Sequence, residues 1–282
     1  MKMFSGIKVP DYVIVMTDCG LDDNASMRQK LEWIRCTGVN PVIITIQHPL
    51  EAAGNLIDAL WQSRGLNGII AINIAPRDIA RGQGQKSPNG APFACMTVEN
   101  AIVISTVCEG NAMFSLVKKL RLAKTFREFD IPTVAQFARE YSLLDAHQAE
   151  EMIRTQFRSL NFMPRAGSWL RSGIELPSTE YVLSDVVADV PPCVWWVDKW
   201  PNGVHYGNCK TTVLESELPE FRRLGGKFAD MRFFSSLAEV PEDDEPALVP
   251  GSSGFGKPFL ECVIQGKSAA ERLRLKAGSP IV

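Results

Sequence analysis

Residues 12–20 read YVIVMTDCG, an apolar run followed directly by polar residues and a glycine. Its first part, Tyr12–Met16, is a continuous apolar run rich in β-branched side chains, which predicts a short buried strand. The polar Thr17 and Asp18 and the flexible Gly20 follow at once and predict a loop. Asp18 is therefore expected at the end of the first strand.

Strand and helix patterns alternate after this stretch. Met27, Leu31 and Ile34 recur at helical spacing before Gly38, which predicts a helix over residues 25–37. A strand, a helix and a third strand are then predicted over residues 41–46, 51–63 and 68–74. This alternation predicts right-handed βαβ units and a largely parallel sheet buried on both faces.

The span Ala75–Pro92 is rich in Gly, Pro, Asn and Arg and is predicted to be a loop. Such loops lie at the carboxyl ends of strands, where α/β proteins bind ligands. Two strands over residues 92–98 and 101–107 and one or two helices over residues 133–158 are expected to complete this part of the chain.

The pattern changes after Pro191 and Pro192 to short apolar runs separated by Gly, Pro and Asn. Several short strands without intervening helices predict a small β-barrel or sandwich. We therefore expect an α/β domain over residues 1–188 and a β-barrel domain over residues 189–282.

Composition excludes several classes of protein. The 282 residues are 45% hydrophobic and 22% charged, with a net charge of -2, so neither disorder nor a nucleic-acid partner is expected. The absence of a long apolar run and of a signal peptide predicts a cytoplasmic protein without a membrane partner. Seven cysteines without a C-x-x-C pair predict reduced thiols, and three isolated histidines (His48, His147 and His205) do not predict a metal site.

Two glycine-rich motifs have ordinary explanations. Gly251–Lys257 has the letters of a phosphate-binding loop, but Pro258 replaces the Ser or Thr that would hold magnesium. A strand is predicted at Phe259, whereas a phosphate loop must open a helix, so the motif is interpreted as a turn. Arg81–Gly84 contains only a fragment of a dinucleotide fingerprint.

Asp18 is the strongest candidate for a binding residue. A carboxylate at the carboxyl edge of a parallel sheet can accept two hydrogen bonds from the vicinal hydroxyls of a ribose. The alternative is that Asp18, with Asp22 and Asp23, caps the following helix. Local features leave both interpretations open.

A series of motifs resembles the S-adenosylmethionine hydroxide adenosyltransferase and fluorinase family. The family's opening T-D-F-G signature is similar to TDCGLDD at residues 17–23, and its next strand also ends in a histidine, here His48. The further similar stretches occur in the same order, and they read EAA at 51–53, NFMPRAGSWL at 161–170, VDK at 197–199, YGNCKTT at 206–212 and GKSAAERL at 266–273.

This resemblance implies an N-terminal α/β domain, a C-terminal β-barrel and a homotrimer. S-adenosylmethionine would be bound as a substrate, with no cofactor, between one subunit's N-terminal domain and its neighbour's C-terminal domain. Members of the family break the bond between C5′ of the ribose and the sulfonium with water or halide and release methionine.

The resemblance also assigns roles to individual residues. Asp18 would hold the ribose hydroxyls, and Thr155 and Phe157 would line the reacting C5′. Residues of the second half would recognise the rest of the ligand: Asp198 and Asn208 the amino-acid portion or the adenine edge, Tyr206 the adenine face, and Gln265 with Gly266 the purine. The alternative for Gly207 and Asn208 is a tight turn.

Departures from the family lie where it activates its nucleophile. Ala75 occupies the position of an aspartate, Phe157 that of a histidine, and Arg158 that of the halide-binding serine, while Arg81 only loosely matches an arginine. The loop after His48 is also shorter than in the family.

Two functions therefore remain open from the sequence. The first is cleavage of S-adenosylmethionine or a related adenosyl compound, with Asp78, Arg81 or Arg158 in new roles. The second is a catalytically silent protein that binds an adenosine ligand or regulates through it. A cationic Arg158 would repel a sulfonium by on the order of 1 kcal/mol or more, which favours a neutral or anionic ligand.

Overall fold

A computed structural model describes residues 8–20, 22–74, 92–107, 109–198, 206–226 and 228–282 of the chain. It divides into two compact units. The first unit contains residues 1–47, 63–113 and 121–188, and the second contains residues 48–62, 114–120 and 189–282. The predicted loop Ala75–Pro92 lies outside the described residues except for Pro92, and so do Asp78 and Arg81.

The first unit is built on a seven-stranded sheet. Its strands are β1 (Tyr12–Thr17), β2 (Val42–Thr45), β3 (Gly68–Asn73), β4 (Phe93–Val98), β5 (Ala101–Thr106), β6 (Thr125–Phe129) and β7 (Thr179–Val182). Their order across the sheet is β2-β1-β3-β5-β4-β6-β7. Strands β3 and β5 are buried at every position, in accordance with their continuous apolar runs.

The sheet is parallel in one half and antiparallel in the other. Strands β2, β1, β3 and β5 pair in parallel. Strand β4 pairs antiparallel with β5 and β6, and β7 pairs antiparallel with β6. Because β2 and β3 lie on opposite sides of β1, the order of strands reverses between β1 and β3. In open α/β sheets a ligand crevice forms at the carboxyl ends of strands at such a switch point.

Five helices belong to the first unit, counted over the described residues: α1 (Asp23–Thr37), α4 (Ile131–Glu140), α5 (Ala146–Arg154), α6 (Arg158–Arg171) and α7 (Leu183–Val186). Residues from α1, α4, α5 and α6 form one apolar core with the strands, centred on side chains such as Trp33, Phe129 and Phe162. Phe162 stacks on Phe93 of β4 with ring centroids 4.8 Å apart. These contacts fix the helices on the sheet.

Helix α1 turns a different face inward than its apolar spacing suggests. Met27 and Leu31, which indicated the helix, are 51% and 58% exposed. The buried side chains are Gln29, Trp33 and Thr37. Trp33 supplies a large apolar surface to the core, while Gln29 and Thr37 bury polar atoms that have hydrogen-bond partners.

The second unit is built on a five-stranded sheet. Its strands are β8 (Val194–Val197), β9 (Cys209–Leu214), β10 (Arg232–Phe233), β11 (Ala247–Pro250) and β12 (Phe259–Val263), in the order β10-β11-β12-β9-β8. In the part of the chain described, β8 and β10 are open edges, so the sheet does not close into the predicted barrel. Its helices are α2 (Pro49–Gln62), α3 (Ser115–Leu120), α8 (Leu218–Leu224) and α9 (Ala269–Leu273).

Helix α2 packs against β8 within this second unit. A Cβ added at Gly54 would lie 2.1 Å from Cε3 of Trp195, so only glycine allows this contact. Asp58, one turn later, accepts hydrogen bonds from Lys210 of β9 at 3.3 Å and from the Ser253 hydroxyl at 2.8 Å. Ser253 belongs to the glycine-rich motif, which forms the connection between β11 and β12 and enters a strand, as predicted for a turn.

Candidate functional site

The carboxyl ends of β1, β3 and β5 carry an unusual density of buried polar side chains. Thr17 and Asn73 are the last residues of β1 and β3, and Ser105 and Thr106 are the last residues of β5. All four are at most 7% exposed. Because these strands are parallel neighbours, their carboxyl ends meet at one edge of the sheet.

Thr17 is the centre of a hydrogen-bond network at this edge. Its Oγ1 accepts hydrogen bonds from Nδ2 of Asn73 at 3.3 Å and from Nε2 of Gln29 at 3.4 Å. The backbone N–H of Asp18 donates to the carbonyl of Asn73 at 3.2 Å, and that of Cys19 donates to Thr17 Oγ1 at 3.1 Å. The network therefore fixes the backbone that presents Asp18.

Asp18 is half-buried at the edge, directly after β1. The Cys19 thiol donates to its Oδ1 at 3.4 Å. The cap of α1 is Asp22, whose Oδ1 accepts the backbone N–H of Ala25 at 2.8 Å. The capping role that sequence left open for Asp18 thus falls to another residue.

Thr155 and Phe157 lie in the short connection between α5 and α6. Thr155 ends α5, and its hydroxyl accepts the backbone N–H of Phe157 at 3.3 Å. The guanidinium of Arg28, from the first half of α1, lies 5.7 Å from the centre of the Phe157 ring. Arg158 opens α6 half-buried, and burial lowers its pKa. The Arg28 guanidinium therefore lies near the Phe157 ring, and Arg158 is the next residue along the chain.

Asn111 is buried in a 3₁₀ segment, Glu109–Phe114, that follows β5. It is 8% exposed, its φ is +48°, and its Oδ1 has no hydrogen-bond partner among the residues that the structure describes. A buried acceptor left without a donor costs about 1–3 kcal/mol, so such atoms are rare in folded proteins.

The remaining candidates belong to the second unit. Asp198 follows β8 and Asn208 precedes β9, and the backbone N–H of Asp198 donates to the Asn208 carbonyl at 2.9 Å. Gln265 lies two residues beyond β12, in the turn closed by the bridge between Ile264 and Lys267. Since Cys262 pairs with Cys209 and Cys209 with Val197, the strand ends that carry all three candidates lie at one end of the five-stranded sheet.

Gly207 at this end makes a tight backbone approach. Its φ is +63°, and an added Cβ would lie 1.9 Å from the Ser268 Oγ. Its carbonyl accepts the backbone N–H of Ala270 at 2.9 Å. The left-handed backbone and this close approach therefore require glycine at position 207. A cavity of about 200 Å³ beside it is lined in part by Asp198 and Ser268, and Tyr206 is 58% exposed.

The structure distributes the predicted residues between the units: Asp18, Thr155 and Phe157 in the first, and Asp198, Tyr206, Asn208 and Gln265 in the second. The sequence analysis did not predict the buried polar residues at or next to this edge, which are Gln29, Asn73, Ser105, Thr106 and Asn111. Asn73 could have been found, because it is a polar residue near the end of an apolar run, as Asp18 is. Gln29 and Asn111 carry no such signal.

Metal-ligating clusters and membrane spans are absent from the described residues. No group of three or more His, Cys, Asp and Glu side chains is arranged to hold a metal ion there. None of the helices described is both long enough and apolar enough to cross a membrane. The six described cysteines are free thiols.

Comparison with known proteins identifies the fold. No protein-family model and no curated protein sequence matches the chain. An uncharacterized conserved protein from Thermotoga maritima is similar in structure, with a TM-score of 0.60 and 14% identity over 95% of this chain and 97% of that one. A conserved hypothetical protein from Thermus thermophilus gives a TM-score of 0.54 and 16% identity over 96% of this chain and 99% of that one. At these identities the likeness shows the fold alone, a mixed α/β architecture with a large, largely parallel sheet and a second, smaller sheet.

Proposed function

We propose that this protein binds a neutral or anionic adenosine compound at the carboxyl edge of its large sheet. Asp18 would accept hydrogen bonds from the two ribose hydroxyls. The observation that carries the proposal is the position of Asp18, directly after β1 at the point where the strand order reverses. Its backbone is held by the Thr17 network, and α1 is capped by Asp22 instead.

The charge of the edge favours a ligand without a sulfonium. Arg28 lies near the ring of Phe157 and Arg158 follows it in the chain, at the position where the resembled family lines the reacting C5′. The half-buried Arg158 would repel a sulfonium by on the order of 1 kcal/mol or more, and the exposed Arg28 by less, because solvent screens its charge. The same cations would attract a phosphate or carboxylate, with Arg supplying charge-assisted hydrogen bonds.

Cleavage of S-adenosylmethionine is the second candidate function. Asp198 and Asn208 favour it, because they keep the family's residues and share one end of the smaller sheet. In this form of the proposal the protein assembles as a homotrimer in the cytoplasm, and light scattering of the purified protein would test the trimer. Release of methionine from S-adenosylmethionine would separate the enzyme from a silent binder.

Calorimetry with adenosine, adenosine monophosphate and S-adenosylmethionine tests the binding proposal. We expect adenosine monophosphate or adenosine to bind more tightly than S-adenosylmethionine. Asp18→Asn should weaken binding about 10- to 100-fold, because hydrogen bonds to a charged group contribute about 1.5–3 kcal/mol. The unmodified protein should bind 2′-deoxyadenosine more weakly than adenosine, by most of the same factor, because this ligand lacks one of the two hydroxyls that Asp18 would bind.

Asp22→Asn is the matched control. It removes a carboxylate four residues from Asp18, and Asn caps a helix about as well as Asp. This variant should bind with unchanged affinity. Equal losses in the two variants would mean that general charge, and not a contact from Asp18, governs binding, and no heat with any of the three ligands would remove the proposal.

A further inference from the structure

Asn111 lies five residues beyond β5, whose carboxyl end is at the same edge of the sheet as the end of β1. It belongs to the segment that leaves the carboxyl end of β5, and β5 is separated from β1 only by β3. Neighbouring strands are spaced about 4.8 Å apart, so the ends of β1 and β5 are about 10 Å apart. Since Asn111 follows the last residue of β5 by five positions, a nucleoside, whose sugar hydroxyls and base edge are at opposite ends of the molecule, has the length to reach from Asp18 toward this segment.

Asn111 differs from the other buried polar side chains at this edge. Within the part of the chain described, Thr17, Gln29 and Asn73 share one network. Thr106 likewise donates to the Ile74 carbonyl at 2.9 Å. The Oδ1 of Asn111 is equally buried and has no donor.

The backbone conformation alone does not account for this side chain. Asn111 has a φ of +48°, a left-handed value that Asn tolerates better than most residues. That preference explains why an Asn or a Gly stands here. It does not require the amide to be buried with its oxygen unpaired, and an unpaired buried acceptor is the arrangement that a ligand donor would complete.

We propose that Asn111 reads the base of the bound nucleoside by accepting a hydrogen bond from its exocyclic amine. The inference rests on the proposed function, since it takes Asp18 as the anchor for the ribose. It adds a specificity residue in the first unit that the family resemblance does not assign. The 6-amino group of an adenine can donate a hydrogen bond to the buried Oδ1 of Asn111. The 6-oxo group of a hypoxanthine is itself an acceptor, so it would face the Oδ1 without a hydrogen bond.

Adenosine and inosine are the probes, because they differ at this position of the base. A site built to pair a buried polar group rejects the analogue that lacks the partner. We expect adenosine to bind the unmodified protein at least about tenfold more tightly than inosine, which corresponds to about 1.4 kcal/mol. Calorimetry of both nucleosides gives the ratio directly.

Asn111→Gly is the test variant, because glycine keeps the positive φ and removes the amide. The ratio of affinities should fall to within about twofold of unity, a change of about fivefold or more on the tenfold scale above. Asn100→Gly is the matched control. Asn100 is exposed at the opposite end of β5, and its only described hydrogen bond is through its backbone carbonyl, which glycine retains. It should keep the ratio of the unmodified protein.

Each outcome decides a different statement. An unchanged ratio in Asn111→Gly, with adenosine still bound and Asp18→Asn still defective, overturns the role of Asn111 and leaves the proposed function standing. A preference of the unmodified protein for inosine also overturns it, because the amide would then present its nitrogen. Failure of both nucleosides to bind overturns this inference, and it removes the proposed function as well only if adenosine monophosphate and S-adenosylmethionine also fail to bind. A circular dichroism spectrum and unfolding midpoint for each variant separate misfolding from loss of recognition.

Discussion

The buried ion pair between α1 and α6 gives a quantitative test of how the first unit is held together. Arg165 is 10% exposed and Glu32 is 15% exposed at the side chain. The Nη1 of Arg165 donates to Glu32 Oε1 at 2.7 Å and to the Asn161 carbonyl at 2.8 Å. Arg35, on the surface, also pairs with Glu32. The cation on α6 thus has one carboxylate as its countercharge in the part of the chain that the structure describes.

Glu32→Gln removes that countercharge and keeps the shape of the side chain. Breaking a buried pair by removing one partner typically costs about 3–5 kcal/mol, because the other charge stays buried. The Gln oxygen can still accept one hydrogen bond, which recovers about 1 kcal/mol. We therefore expect the first unit to lose about 2–4 kcal/mol. Replacing both partners, as in Glu32→Leu with Arg165→Met, should cost less than the single variant.

The pair also predicts a pH dependence. Burial alone would raise the pKa of Glu32, but the hydrogen bond from Arg35 and the attraction of Arg165 outweigh it and lower the pKa. A carboxyl group whose pKa is lower in the folded than in the unfolded protein stabilises the fold at every pH above its pKa in the unfolded chain. That stability is lost as the pH falls below about 4.5, through the folded pKa. Glu32→Gln should remove this part of the acid sensitivity.

Urea unfolding followed by circular dichroism, with hydrogen exchange of the α1 and α6 amides, measures the effect. Exchange localises the change to the two helices that the pair joins. Glu150→Gln is the matched control, because Glu150 pairs with Arg154 within α5 and both side chains are more than half exposed. That surface pair should contribute less than about 0.5 kcal/mol. Glu32→Gln would refute the reasoning if it were no more destabilising than this control.

Three further predictions concern other contacts. Burial lowers the pKa of His48, whose Nδ1 caps α2 by accepting a backbone N–H. The second unit should therefore lose stability as the pH falls below 6.5, by no more than about 1 kcal/mol because solvent screens the half-buried ring. Urea titrations at about pH 5 and 8 would measure this loss, and His48→Asn should abolish it. Gly54→Ala should destabilise the second unit by about 1–3 kcal/mol despite the better helix propensity of Ala, because its Cβ would overlap Trp195; a stabilised variant would contradict the packing. Iodoacetamide should modify Cys19 more slowly when adenosine is bound, because the Cys19 thiol contacts Asp18. Mass spectrometry of the labelled peptide measures the rate, and equal rates with and without adenosine would mean that the ligand binds elsewhere.

The strands of the first half could be predicted from sequence because they are buried within the sheet. Continuous runs of β-branched apolar residues indicate strands that are buried on both faces of a sheet. For this reason β1, β2 and β3 begin and end within two residues of the predicted ranges. The position of Asp18 at the end of β1 followed from the same pattern. The likeness to two solved structures supports this architecture.

The buried face of a helix and the contacts between residues far apart in sequence could not be predicted in the same way. Helix α1 buries Gln29 and exposes Leu31, because the polar partner of Gln29 is Thr17 at the end of a strand, which no helical spacing reveals. Of the short apolar runs after Pro192 that were expected to form strands, the one over residues 228–234 contains only the two-residue strand Arg232–Phe233. Asn111 gave no signal, since an unpaired acceptor exists only in three dimensions.

Helix α2 has a consequence for how the chain is made. Asp58 of this helix is synthesised before both of its hydrogen-bond partners, Lys210, which is 152 positions later, and Ser253, which is 195 positions later. Until then its apolar residues Leu56, Ile57 and Leu60 have no completed core in the second unit. Contacts of such high sequence separation form slowly, so this unit cannot complete its core before residue 253 has been synthesised. A gene fragment that starts at residue 189 would therefore encode an incomplete body prone to aggregate.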